Sequence, residues 1–177
     1  MYTPGIIAIP YVFWSWLNHT GSLEFKPAAL VIFNLIISEL LYLVAFQYYP
    51  FASDFYVMQI PAVFLIQDFL FFTLHKFFHV NKTAFNLVHS IHHESYDSFY
   101  AFHAHPLEHI LLNLGTLFVP LCFVRVNQEA LNMFICMEIY TAVVGHSPHG
   151  QPHELHHIYL NRRFGSVYLM DYLFGTF

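Results

Sequence analysis

The sequence predicts an all-α membrane protein in which two transmembrane helical hairpins carry a histidine-rich cap on one side of the bilayer. Three observations point there. The chain of 177 residues is 57% hydrophobic and 10% charged, whereas a soluble domain carries about a quarter charged residues. Four apolar stretches, at about 28–49, 55–74, 107–124 and 129–144, are separated by polar turns. Histidines at helical spacing gather in three clusters beside those stretches: His75 and His79; His89, His92 and His93; His153, His156 and His157.

Residues 5–17 are apolar and aromatic, interrupted by Pro10. They fall short of the roughly 20 residues that cross a bilayer, so an interfacial or re-entrant segment is expected. Trp14 and Trp16 suit the headgroup region. Residues 28–49 hold one charge, Glu39, and at 1.5 Å per residue reach about 33 Å, the depth of a bilayer core. Tyr49 to Ser53 turns the chain, and the second stretch runs directly into His75. Pro106 opens the third stretch, at the position where proline suits a helix start. Residues 126–128 turn into the fourth, Gly145 to Gln151 breaks it, and a short helix follows Pro152. The aromatic tail from Gly165 to Phe177 is expected on the membrane surface. Two hairpins put all three clusters on one side. Lys26, Lys76, Lys82, Arg162 and Arg163 share that side and Arg125 alone falls on the other, so the positive-inside rule makes the histidine side cytoplasmic.

A net charge of −5 without a basic patch argues against a nucleic-acid partner. Cys122 and Cys136 lie in apolar stretches and read as buried thiols used as small hydrophobes, not as a disulfide framework. Residues at i, i+3 and i+4 share a helical face, and imidazole suits iron, zinc, copper and nickel. Eight clustered histidines are too many for one metal with an open position; they fit two metals with an additional ligand or two. Closed structural zinc sites usually include cysteine. Nitrogen ligands that leave positions open suit iron used to activate O2, with zinc possible as a substitute. Glu39, Asp68 and Glu138 lie within apolar stretches, where ionisable groups are costly. Asp68, two turns before His75, is expected to accept a proton from that imidazole and fix its tautomer. Glu39 and Glu138 are expected to be protonated acids bonded to neighbouring helices.

The run from Asp68 to His79 resembles the first histidine box of the fatty acid hydroxylase/sterol desaturase superfamily. Leu87 to His93 is similar to its second box. Ala104-His105-Pro106-Leu107-Glu108 resembles an element of its sterol-modifying branch, Gly145-His146-Ser147 with His153 to His157 resembles the closing box, and Asp171 to Phe177 resembles the family ending. The likeness covers about residues 60–177 of a single membrane domain, 1–177. Where the family commonly has Asn-Tyr-Gly, this chain has Arg163-Phe164-Gly165, which places a cation near the lid of the site.

The resemblance implies a non-haem diiron membrane oxygenase that hydroxylates or desaturates a lipid, sterol or fatty acyl, with O2 and electrons from cytochrome b5 or a reductase. It implies the endoplasmic reticulum in a eukaryotic cell. It makes His75, His79, His89, His92, His93, His153, His156 and His157 ligands of two iron ions and His146 a ninth. His149 is a further candidate, and His105 is a ligand, a group bonded to a ligand, or a helix cap. His103 and His109 are expected to be satisfied neighbours. No residue is needed as a nucleophile. The alternative is a membrane protein that binds metal without catalysis, such as a carrier or a degenerate member of the family.

Overall fold

Helices follow the apolar runs. The computed structural model describes residues 5–19, 21–54, 56, 58–148 and 153–177, and it is 72% helical with no strand among the described residues. Two helices, α2 (Phe25–Gln47) and α3 (Gln59–Val80), are long and apolar enough to cross a membrane. On α2, Ile32, Ile36, Leu40 and Val44 form an exposed stripe at i+4 spacing, while Val31, Leu35, Ser38, Tyr42 and Phe46 are buried. A continuous bare apolar stripe of that kind suits lipid rather than water. Cys122 and Cys136 are exposed rather than buried, on helices whose outward faces are similarly apolar.

The expected third and fourth spans are helical but fall short of the first two. Helix α5, Pro106–Cys122, is a short apolar rod. It is α-helical over Pro106–Glu108, π-helical over His109–Gly115, α-helical again over Thr116–Phe118 and 3-10 over Val119–Cys122. Helix α6, Gln128–Gly145, has 18 residues. Its N-terminus is capped by the Asn127 side chain, which accepts from the Ala130 N–H at 2.9 Å. Between them, α4 (Lys82–Leu87) and two 3-10 turns, His89–Glu94 and Ser98–Tyr100, form the connection at the histidine end. Helices α7 (His153–Tyr159) and α8 (Leu169–Phe174) close the chain.

The four long elements alternate in direction. At the end away from the histidines, the Tyr49 hydroxyl donates to the Val124 carbonyl at 3.2 Å and accepts from the Val126 N–H at 3.1 Å. The Ala52 N–H donates to the Val126 carbonyl at 3.0 Å. At the other end, Asn34 of α2 donates to the Phe102 and Ala104 carbonyls at 2.8 and 2.9 Å. Both turns therefore lie at one end and all three histidine clusters at the other.

Helix α1 (Ala8–Asn18) is held at partial depth. Glu39 accepts the backbone N–H groups of Gly5, Ile7 and Ala8 at 3.2, 2.8 and 2.7 Å. The first N–H groups of a helix lack internal partners, and a carboxylate beside them is favoured by the helix dipole. Glu39 thus bonds a neighbouring helix, accepting from the backbone N–H groups at its start. It sits 14 residues into α2, about 21 Å along that axis, so α1 starts well inside the apolar layer and suits the re-entrant alternative. Its flank packs on α6, with Trp14 edge-on to Tyr140 at 5.0 Å between centroids. Trp16 is exposed.

Candidate metal centre

The histidine ring nitrogens converge in two groups. His75, His79, His89, His93 and His156 form one; His92, His146, His153 and His157 form the other. Within each group, the ligand atoms lie within 4.8 Å of one another. Six of the nine come from α3, the His89–Glu94 turn and His146 at the end of α6, the other three come from α7, and all nine expected positions are brought together.

The clusters do not map one to one onto the groups. In each H-x-x-H-H run the outer pair, i and i+4, joins one group and the middle histidine joins the other: His92 leaves its neighbours His89 and His93, and His156 leaves His153 and His157. On α7 the reason is geometric, because successive residues are about 100° apart around the axis, so i+3 and i+4 diverge by that angle.

The spacing fits a metal. His89 Nε2 lies 2.8 Å from His79 Nε2, and His93 Nε2 lies 3.3 and 3.1 Å from His79 and His89. His146 Nε2 lies 3.3 Å from His92 Nε2, and His157 Nε2 lies 3.2 Å from both His146 and His153. Nitrogens about 2.0–2.1 Å from one ion sit about 2.9–3.4 Å apart, so these separations are close to those a shared ion would impose. The protons are on the far side of the rings. His75 Nδ1 donates to the Phe164 carbonyl at 2.8 Å, His156 Nδ1 to the Arg162 carbonyl at 2.7 Å and His146 Nδ1 to the Ala142 carbonyl at 2.7 Å. His89 Nδ1 is bonded to Glu108 Oε1 at 2.8 Å. Each such bond leaves Nε2 as a bare lone pair. Nε2 of His75 and of His156 is buried with no hydrogen-bond partner, the condition that a cation among them would relieve.

Electrostatics agree. Burial, then neighbouring imidazoles, holds His92 and His153 well below the ordinary histidine value. Burial lowers His93 to about 2 and both His146 and His156 to about 4. Neutral imidazole is the metal-binding form.

Asp68, Arg163 and His103 depart from expectation, and His105 takes one of the three roles open to it. Asp68 does not accept from His75. Seven residues separate them, about 10 Å of helical rise, which is beyond contact. Asp68 accepts instead from Val167 N–H at 3.0 Å, Met170 N–H at 2.9 Å and the Ser166 hydroxyl at 3.4 Å. Asp171 takes the Phe164 and Gly165 N–H groups at 2.9 and 2.6 Å. The two carboxylates hold the segment whose carbonyls orient His75 and His156. His105 is a cap: its Nδ1 accepts the Leu107 N–H at 3.1 Å. The Phe164 ring, not the Arg163 cation, meets the histidines, 5.3 Å from His79 and 5.6 Å from His156; the Arg163 guanidinium lies over Phe177. His149 lies outside the described residues. His109 is satisfied at both nitrogens, by Ser38 and Asn113, while His103 Nδ1 is buried without a partner.

Glu108 carries a role the sequence reading did not give it. The signal was present: a lone acid at the head of an otherwise uncharged apolar helix.

A cavity between the helices opens on His75, His89, His92, His146 and His153 and is walled by Phe71, Phe102, Leu112, Leu117, Ile135 and Ile139.

The family profile for fatty acid hydroxylases matches residues 60–176. A fatty acid hydroxylase domain-containing protein 2 of Homo sapiens is 23% identical over 130 residues, covering 68% of this chain and 39% of that protein. The C-4 methylsterol oxidase erg25 of Schizosaccharomyces pombe is 29% identical over 133 residues, covering 63% of this chain and 44% of that protein. The fatty acid hydroxylase ahd1 of Mycosarcoma maydis is 26% identical over 194 residues, covering 92% of this chain and 50% of that protein. The chain thus spans about half or less of the curated relatives it matches, and no solved structure matches it. With its histidine boxes folded into one cap and the profile covering two thirds of its length, the chain belongs to the fatty acid hydroxylase family.

Proposed function

We propose that this chain is a membrane-bound non-haem diiron oxygenase that hydroxylates or desaturates a lipid, using O2 and electrons from a separate donor such as cytochrome b5 or a reductase. The observation that carries the reading is the convergence of nine imidazoles into two groups at the mouth of an apolar cavity. The relatives bear the names of sterol, fatty acid and very-long-chain aldehyde enzymes, which supports a lipid as substrate.

Two irons held by these groups would supply the activation of O2. His75, His79, His89, His93 and His156 would hold one, and His92, His146, His153 and His157 the other. In hydroxylation one oxygen atom enters the C–H bond, and the other leaves as water with two electrons and two protons; desaturation removes two hydrogens and releases two waters. The protein's share is positioning and dryness. The carbonyls of Phe164, Arg162 and Ala142 and the carboxylate of Glu108 keep the rings aimed. The cavity wall of Phe71, Phe102, Leu112 and Leu117 packs the lipid against the cap and excludes water. The basic residues around the cap support a cytoplasmic orientation, in the endoplasmic reticulum of a eukaryotic cell.

The test is lipid profiling by mass spectrometry of cells with and without the chain, paired with metal analysis of the purified protein. Two metals per chain and an O2-dependent oxidised lipid are expected. One metal at saturation, or metal that exchanges with no lipid oxidised, overturns the reading.

A further inference from the structure

The cavity has a polar end that the oxygen chemistry does not use. Gln67 lies on α3 eight residues before His75, and Glu138 lies on α6 eight residues before His146. Eight residues is about 12 Å of rise on each helix, so the two side chains meet at a matched depth below the histidines. They do meet: Gln67 Nε2 donates to Glu138 Oε2 at 3.1 Å. Gln67 is fixed in that orientation because its Oε1 accepts the Ser166 hydroxyl at 2.5 Å. Both residues line the cavity that reaches the cap. The second carboxyl oxygen, Glu138 Oε1, is buried with no partner. A buried carboxyl oxygen without a partner is costly, and here it stands at a cavity that the proposed function fills with lipid.

We propose that Glu138, oriented by Gln67 and Ser166, is the docking point for a hydroxyl group of the lipid substrate, so that the enzyme selects a lipid whose hydroxyl lies about 12 Å from the C–H bond it oxidises. A hydroxyl both donates and accepts, so it completes Oε1 whether or not that oxygen carries the proton. Most of the remaining wall is apolar, with Asn113, Thr141 and Tyr168 as polar exceptions, and the bond to the orphaned Glu138 oxygen fixes how far the substrate enters and hence which carbon faces the metals. Glu138 touches the substrate's hydroxyl and not the reacting carbon, and Gln67 acts through it as a positioning residue. The inference rests on the lipid-oxygenase reading for the identity of the occupant, and its test is separable from that reading because it measures binding.

The hydroxyl has two plausible sources, an acyl-chain alcohol and a sterol, and the experiment has an arm for each. The purified full chain in nanodiscs is equilibrated with radiolabelled 1-hexadecanol or hexadecane, and with cholesterol or its 3-deoxy counterpart cholestene, each pair at equal mole fraction in the bilayer. The hydroxylated member of at least one pair is expected to bind about tenfold more tightly, the worth of one buried hydrogen bond. The arm with the preference names the source. Glu138→Gln retains a hydrogen-bonding group and should keep most of the preference. Glu138→Met, and the double variant Gln67→Leu/Glu138→Met that leaves no unpaired amide, should abolish it. Equal binding of both members in both wild-type arms overturns the proposal, as does an undiminished preference in the double variant. A clear preference in a protein that oxidises no lipid would leave this site standing while the oxygenase reading fell.

Discussion

His89 is the most constrained ring in the cap. It is fully buried, bonded at Nδ1 to Glu108 and pressed at Nε2 against His79. Replacing Glu108 by alanine leaves a buried N–H unpaired and frees the ring to change tautomer. Loss of such a partner typically costs about 10–100-fold in metal affinity, to be read by chelator competition on the purified protein; unchanged affinity would strip Glu108 of the role. His92→Ala and His156→Ala each remove one member from a different group. Metal content should fall and lipid oxidation cease, with membrane insertion intact. His19→Ala should leave both nearly untouched, since His19 pairs with Asp97 away from the groups. Equal, mild effects at all three would mean the convergent rings are not a working metal site. The ligands themselves were legible because imidazoles at i and i+4 leave a mark in sequence. Their allotment to two groups was not, because it depends on how the His89–Glu94 turn and α7 face one another.

At the level of elements, the segment from Arg162 to Phe177 behaves as a strap drawn down by two acids. Asp68 and Asp171 approach Gly165 so closely that a Cβ there would stand 2.6 Å from Asp68 Oδ1 and 2.9 Å from Asp171 Oδ2. Gly165→Ala should therefore lift the strap and withdraw the carbonyls that orient His75 and His156. Faster tryptic cleavage at Arg162 and Arg163, together with weakened metal retention, is the expected outcome; cleavage at the wild-type rate would show that the strap tolerates the methyl group. Sequence reading found Asp68 but aimed it at His75, since a backbone amide as partner has no sequence signature. The π-helical stretch of α5 was equally hidden: residues 107–124 read as an ordinary apolar run. Helices α2 and α3 were legible because bilayer depth fixes their length, whereas Glu39 under α1 became intelligible only once the helix start it serves was in place.

For the whole molecule, the depressed imidazoles couple stability to pH. In the unfolded chain histidine titrates near about 6.5, whereas burial holds His92 and His153 well below that value and both His146 and His156 at about 4. Below about pH 6.5 the unfolded state binds more protons than the fold, so stability is lost as pH drops and continues to fall toward pH 4. The metal-free protein should melt at distinctly lower temperature at pH 5.5 than at pH 7.5, and a flat profile would contradict the buried, neutral cap. The exchange of middle histidines between the two H-x-x-H-H runs also bears on the order of synthesis. The group around His75 needs His156, and the group around His146 needs both His92 and the residues from His153 onward. Neither set is complete on a nascent chain until α7 has left the ribosome.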